Sequence, residues 1–210
     1  MQVERNPFRR QRMRLFLSLL PSTGADPIRI LDIGGTVEYW RANQDLWGHL
    51  PLHITIVNLG VEPRDEGVYA IRPGDACHLV EFADNSFDVV HSNSVIEHVG
   101  HWPEMAAMAG EVRRLAPIYF LQTPNFWFPV EPHFRAIGYQ WLPESLRAAL
   151  LTRFRLGFRG PRSSFDLAMR DIQTVNLLTS RQMRALFPDA DIRAEWLLGL
   201  PKSLIALRRV

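Results

Sequence analysis

Lysine is almost missing from this chain: Lys202 is the only one, and every other basic residue is arginine. Arginine stays protonated in any pocket, so amine chemistry such as Schiff-base formation has a single, unpromising candidate. Cysteine is equally scarce. Cys77 stands alone, which excludes an intrachain disulfide and a multi-cysteine zinc site and suits a reducing cytosol. No apolar run approaches the roughly 20 residues of a membrane span, and there is no internal repeat or low-complexity tract. Strong charge of one sign is lacking too, because 24 basic residues against 22 acidic ones leave +2. The isoelectric point near 9.0 reflects the arginines and hints at acidic partners, nothing more.

What is present is 210 residues with 47% hydrophobic content, enough for one domain with a packed core and no covalent staples. Arg9, Arg10, Arg12 and Arg14, then Leu15 to Leu20 and Ser22-Thr23-Gly24-Ala25, imitate a secretory signal, but the apolar stretch is shorter than the usual h-region of about 7–15 residues. Asn6-Pro7 reads instead as an N-cap with proline at the first helical position. Residues 6–20 are therefore expected to form an amphipathic helix stopped by Pro21, in a protein that stays in the cytoplasm.

Further along, apolar runs alternate with helical stretches. Strands are expected at Ile28–Ile33, Ile54–Val57, Val68–Ile71, Phe87–His91 and Ile118–Gln122, with helices over Glu38–Leu50 and Trp102–Leu115. This alternation argues for a parallel α/β sheet with ligands at the carboxyl ends of its strands. The link Leu59–Gly67 is too short for a helical crossover, so one covering helix should be missing. Thr179 with Gln182 makes a capping box for a short helix to Phe187. After it, Ile192–Leu198 and Ser203–Arg208 read as an antiparallel pair joined at Gly199-Leu200-Pro201.

Asp32-Ile33-Gly34-Gly35-Thr36 follows a strand and precedes a helix; Gly74-Asp75-Ala76 follows the third strand; and Phe82-Ala83-Asp84-Asn85-Ser86-Phe87-Asp88-Val89-Val90-His91-Ser92-Asn93-Ser94-Val95-Ile96-Glu97-His98-Val99 spans the fourth. In this order and spacing the segments resemble the class I (Rossmann-like) S-adenosylmethionine-dependent methyltransferases over residues 28–123 and, more loosely, 179–209. The resemblance implies one methyltransferase domain over 1–210. Its mostly parallel seven-stranded sheet would have the last strand antiparallel, with a helical lid, 126–178, inserted after strand five. It implies S-adenosylmethionine as cofactor. Gly34, Gly35 and Thr36 would hold the amino-acid end, while Asp32 orders the turn and adds negative charge beside the ammonium. Asn58 and Leu59 would lie at the ribose end, Asp75 would accept from the adenine amine, and the Ala76 amide would donate to the ring. Ser92, Asn93 and Ser94 would line the methionine portion. Two positions depart from the family pattern. Thr36 replaces the usual second glycine, and Asn58 replaces the acid that ends strand two, so bonds to the ribose diol lose charge assistance unless Glu62 reaches in.

Transfer of an already activated methyl group is largely a matter of positioning, and a base is needed only if the acceptor carries a proton. Base candidates are His98, His101, Glu131 and His133, with His98 first because it follows the fourth strand. Against each stands a plain structural role, a capping histidine or a rigid loop. Glu131 and His133 resemble half a metal site, but no partner ligands lie at helical spacing, so no metal is expected. Pro124 to Pro132, with Trp127 and Phe128, reads as an acceptor-facing lip. In the insert, Trp141, Leu142, Leu146, Leu150 and Phe154 approach helical spacing among Arg147, Arg153, Arg155 and Arg159. Such a stripe fits a docked lid helix first and a peripheral membrane contact second. Ser92-Asn93-Ser94-Val95 stands where methyltransferases of DNA amines carry Asn/Asp-Pro-Pro-Tyr, which argues against nucleic acid. The expected acceptor is a small molecule such as a saccharide or lipid-linked intermediate. The rival is a catalytically inactive descendant kept as a binding or scaffold protein.

Overall fold

The computed structural model describes residues 6–22 and 26–209; Thr23, Gly24 and Ala25 of the signal-like stretch lie outside the described residues. Asn6 caps the first helix by accepting from the Phe8 amide at 3.0 Å, and α1 runs Pro7–Leu17. The strands are β1 (Ile28–Ile33), β2 (Leu52–Asn58), β3 (Arg64–Glu66), β4 (Tyr69–Pro73), β5 (Val89–Asn93), β6 (Ile118–Pro124), the short pair β7 (Val130–Glu131) and β8 (Ala136–Ile137), β9 (Asp191–Leu197) and β10 (Leu200–Arg208). The main sheet has the order β3-β4-β2-β1-β5-β6-β10-β9. β4, β2, β1, β5 and β6 pair in parallel, and the last strand, β10, runs antiparallel to both β6 and β9.

The sheet thus has eight strands where seven were expected. The extra one, β3, folds back onto β4 around Gly67, whose φ of +62° suits glycine. Its three charged residues carry no apolar alternation, so the sequence pattern has nothing to detect there. The expected helix 38–50 is also two pieces, α2 (Val37–Arg41) and α3 (Gln44–Trp47). Between them the buried Asn43 donates its side-chain amide to the Tyr39 carbonyl at 2.9 Å, a local bond that competes with helix continuation.

Both faces of the sheet are covered, which explains why β1 and β6 are mostly apolar and β5 is buried almost throughout. On one face, Met13 and Phe16 of α1 join Trp40, Trp47, Ile30, Ile54 and Phe120. On the other, α4 (Trp102–Leu115) and α7 (Ser180–Leu186) bury Met108, Val112, Met183 and Phe187 against Leu31, Val90, Tyr119 and Leu121. The capping box of α7 forms as expected from Thr179 and Gln182. The segment 126–178 builds a third, small core around Phe134, Tyr139, Leu151 and Ile172, using α5 (Glu144–Arg153) and α6 (Phe165–Gln173). The stripe expected from Trp141 onward is interrupted, because Pro143 opens α5 and Trp141 belongs to a separate 3-10 turn. Among the described residues, no helix is long and apolar enough to cross a membrane.

Candidate active site

The carboxyl ends of β1, β2, β4 and β5 meet at one edge of the sheet, and hydrogen bonds tie the loops that leave them. The Gly34 amide donates to the Val57 carbonyl at 2.8 Å, the Asn58 side-chain amide to the Gly35 carbonyl at 2.8 Å, and the Gly74 amide to the Asn58 carbonyl at 3.1 Å. Gly34, Asn58 and Asp75 therefore belong to one connected rim. Gly34 has φ +73°, and a Cβ there would come within 2.4 Å of the Val95 side chain. A Cβ on Gly35 would overlap the Asp32 carboxylate. Only glycine fits either position. Thr36 departs from glycine for a local reason, since its hydroxyl accepts from the Tyr39 amide and caps α2. Leu59, directly after Asn58, is 75% exposed at the rim. Asp75 is exposed, and one of its oxygens accepts from the Cys77 amide at 2.9 Å. Glu62 is exposed in the loop between β2 and β3.

Two expected cofactor contacts need correction. Asp32 is fully buried, with its oxygens 2.7 Å from Trp40 Nε1 and 2.7 Å from His91 Nδ1. It orders the turn, but its charge faces the core between β1 and β5 and not the ammonium of a ligand. Ser92 is likewise fully buried, and its hydroxyl donates to the Ile33 carbonyl at 3.1 Å. Asn93, the last residue of β5, and Ser94, directly beyond the strand, are both half-buried. Ser94 has φ +59° and donates to Gln122 Oε1 at 3.0 Å.

The sequence reading missed Arg12. This α1 side chain is buried at the strand ends. It donates twice to Glu195 (2.8 and 2.6 Å) and also to Asn93 Oδ1 (3.1 Å), Gln122 Oε1 (2.8 Å) and Ser203 Oγ (3.1 Å). Beside this network opens a cavity of about 530 Å³ whose lining includes Asn93, Ser94, Phe8, Phe128, Arg135 and Lys202. Lys202, the lone amine, sits over the Phe8 ring at 3.5 Å, and burial lowers its pKa. The cluster of four cations, Arg9, Arg12, Arg135 and Lys202, left no periodic trace because they come from three distant segments.

His101 precedes α4 as its N-cap residue, with its amide donating to Glu104 at 2.8 Å, and it lines a cavity of about 240 Å³ together with Glu131. His98 and His133, 35 positions apart in sequence, stand edge to face with ring centroids 4.8 Å apart. Glu131 is buried and lies 2.7 Å from His133 Nδ1, while also accepting from the Phe134 amide at 2.5 Å. His98 Nδ1 lies 3.0 Å from the Thr174 carbonyl, and packing around the ring lowers its pKa. Glu97, not singled out from sequence, is wholly buried beside them. Desolvation pushes its carboxyl up to about 7, against the opposing hydrogen bond from the Thr123 hydroxyl at 2.9 Å.

Residues 55–117 match the family model of the methyltransferase domain. Over those residues the chain is similar to methyltransferase domains, and its fold is that of the similar solved structures. No curated protein matches it in sequence. Among solved structures it is similar to Haemonchus contortus phosphoethanolamine N-methyltransferase 2 in complex with S-adenosyl-L-methionine, at 18% identity and TM-score 0.51, covering 88% of this chain and 38% of that one. It is also similar to a chain of the complex between the Haloferax volcanii Trm112 methyltransferase activator and a methyltransferase, at 12% identity and TM-score 0.55, covering 97% and 90%. The domain spans 60% of the length of a methyltransferase from an antibiotic biosynthesis pathway of Anabaena variabilis, at 20% identity, TM-score 0.46 and 69% of this chain.

The similar Haemonchus contortus structure holds S-adenosyl-L-methionine, and the residues of this rim suit a ligand of that kind. An exposed leucine beside a half-buried carboxamide offers an apolar face for a purine next to an acceptor for a diol. Asp75 lies on the adjoining loop, joined to them through Gly74. The poorest match is at Asn58, whose amide is already engaged by Gly35 and whose remaining acceptor is a neutral oxygen.

Proposed function

We propose that this chain transfers a methyl group from S-adenosylmethionine to a small-molecule acceptor. The observation that carries the reading is the hydrogen-bonded rim of Gly34, Asn58 and Gly74-Asp75 at the carboxyl edge of a class I sheet. When bound, the cofactor supplies an activated methyl group on a sulfonium sulfur. Gly34, Gly35 and Thr36 hold its amino-acid end, Asn58 its ribose, Leu59 and Ala76 the faces of its adenine, and Asp75 the adenine amine. Asn93 and Ser94 lie along the methionine portion, and Asp32 and Ser92 act from behind as positioning residues.

The acceptor enters the cavity of about 530 Å³, within the range of small-molecule sites. Its aromatic and cationic lining supports an acceptor with an apolar portion and a negative charge, as a lipid-linked or saccharide intermediate can have. For a protonated acceptor group, His98 is the first base. Its Nδ1 donates to the Thr174 carbonyl, so Nε2 keeps the lone pair that takes the proton. The Glu131–His133 pair is the second proton acceptor. Segment 126–178 works as the lid over this side of a single domain spanning 1–210. Its exposed Trp141, Phe154 and Phe158 support a peripheral lipid contact as well, which sedimentation with anionic vesicles tests. The lone thiol, Cys77, fits the cytoplasm.

Titration calorimetry with S-adenosylmethionine tests the proposal. Saturable binding is expected, and Asp75→Ala should weaken it by about 1–3 kcal/mol, the cost of leaving one bound polar group unpaired. No heat at millimolar ligand would favour the scaffold reading that Thr36 and Asn58 motivate. Unchanged affinity in the variant would remove Asp75 from the site.

A further inference from the structure

We propose that Glu97, His98 and His133 form a binding site for one divalent transition-metal ion at the acceptor side of the domain. Each offers one ligand atom, and these atoms all lie within 4.8 Å of one another. The donor set, two imidazoles and a carboxylate, is the one that zinc and its first-row neighbours take in three-ligand sites that keep a coordination position open.

Three further observations show that the cluster is built to present lone pairs. His98 Nδ1 faces the Thr174 carbonyl, which can only accept, so that nitrogen carries the hydrogen and Nε2 is left as a bare donor. His133 Nδ1 faces Glu131 in the same sense, giving the carboxylate–histidine arrangement that orients metal-binding imidazoles. Glu131 is in turn fixed by the Phe134 amide. Glu97 is the independent sign. It is completely buried, its Oε2 is held by Thr123, and its Oε1 has no hydrogen-bond partner among the described residues. A buried carboxylate oxygen without a partner is costly unless something cationic meets it. Among the described residues no lysine or arginine forms an ion pair or hydrogen bond with that oxygen, whereas two imidazoles stand next to it.

Ligand atoms sharing one ion at bonds of about 2.0–2.2 Å sit roughly 3–4 Å apart. Closing the cluster onto an ion therefore takes about an ångström of movement, and His98, the exposed member, can supply it. Spacing along the chain gives no sign of the site, because two ligands come from the 3-10 turn after β5 and the third from the loop after β7.

A metal here changes how the acceptor side works. With both Nε2 atoms coordinated, neither imidazole is free as a base; the cation would polarise an acceptor oxygen and let its proton leave to solvent. This role rests on the methyltransferase reading, whereas occupancy of the site does not.

The experiment is titration calorimetry of the chelator-treated full chain with Zn²⁺, with Mn²⁺ and Mg²⁺ for comparison, and with Co²⁺ followed by its visible absorption. One equivalent of Zn²⁺ is expected, with Mg²⁺ much weaker. His133→Ala and Glu97→Gln should each lose at least tenfold in affinity, and Glu131→Gln should lose about 10–100-fold through the tilted imidazole. Because buried variants can unfold, His98→Ala at the exposed ligand is the decisive one, with its folding checked by circular dichroism. No stoichiometric binding, or equal binding by folded His98→Ala, overturns the site. Parallel titration with S-adenosylhomocysteine keeps the two readings apart: cofactor binding without metal binding refutes this site alone, and metal binding without cofactor binding refutes the methyltransferase reading alone.

Discussion

Asp32 illustrates how a single buried side chain can order a glycine turn from inside the core. It keeps Trp40 Nε1 and His91 Nδ1 satisfied in a fully buried layer, while His91 stacks on Phe120 and Tyr39. Asp32→Ala strands two buried donors, so a destabilisation of about 1–3 kcal/mol for each is expected. Urea unfolding measures it, and a change below about 0.5 kcal/mol would show that water replaces the carboxylate. Cys77, two residues past Asp75, gives a prediction in pH. Burial first, then the neighbouring Asp75 charge and hydrogen bond, pushes its thiol up to about 11. The neutral thiol is therefore favoured over the nucleophilic thiolate, which forms only about 0.1% of the population at pH 8. Alkylation by iodoacetamide should be slow at pH 8 and climb about tenfold per pH unit to beyond pH 10. A rate that levels off near pH 9 would contradict this.

At the scale of elements, α1 is held by charge as well as by packing. Met13 and Phe16 bury its apolar side, while Arg12 reaches past them to Glu195 on β9 and to Gln122, Asn93 and Ser203 at the strand ends. Removing one member of a buried pair leaves an uncompensated charge, so Arg12→Ala should cost about 3–5 kcal/mol. Arg12→Met combined with Glu195→Leu should cost far less, because neither charge remains. A double-mutant cycle by denaturant unfolding checks this, and additive costs would mean that the pair contributes nothing of its own. Arg12 also marks where sequence reading stops. In sequence it is one of four arginines ahead of a leucine run, with no sign that it alone is buried. β1 and β6 were legible because burial on both faces writes mostly apolar runs, and the caps at Asn6 and Thr179 were legible because a cap is decided within three residues. β3 was not, since a hairpin edge of Arg64, Asp65 and Glu66 owes its pairing to Gly67 and to the neighbour it folds upon. The candidate site divides in the same way. The positions of the rim at Gly34, Asn58 and Asp75 follow from local strand–turn patterns, but which way Asp32 and Ser92 point depends on the layer behind the strand. The meeting of Glu97, His98 and His133 depends on how a long insert returns to the sheet.

For the molecule as a whole, the rim of Gly34, Asn58 and Asp75 lies where its two main cores meet. Leu31 and Ile33 of β1 belong to the core beneath α4 and α7, whereas Ile30 belongs to the core beneath α1, and Gly34 follows directly from both. A ligand spanning the loops after β1, β2 and β4 is thus tied to strands whose loss unfolds both layers together, and its binding energy should appear as global stability. At 100 times its dissociation constant a ligand that binds only the folded state adds about 2.7 kcal/mol. For a chain of this size each kcal/mol moves the melting temperature by about 2–4 °C, so S-adenosylhomocysteine should raise it by about 5–11 °C. Segment 126–178 has its own core of Phe134, Leu151 and Ile172. Any separate transition that it shows in a calorimetric scan should move little, because the hydrogen bonds that join the rim, among the described residues, use none of its residues. A main transition that stays in place at saturating ligand would mean that these loops do not form a donor site. A shift confined to the minor transition would move the binding site to the insert.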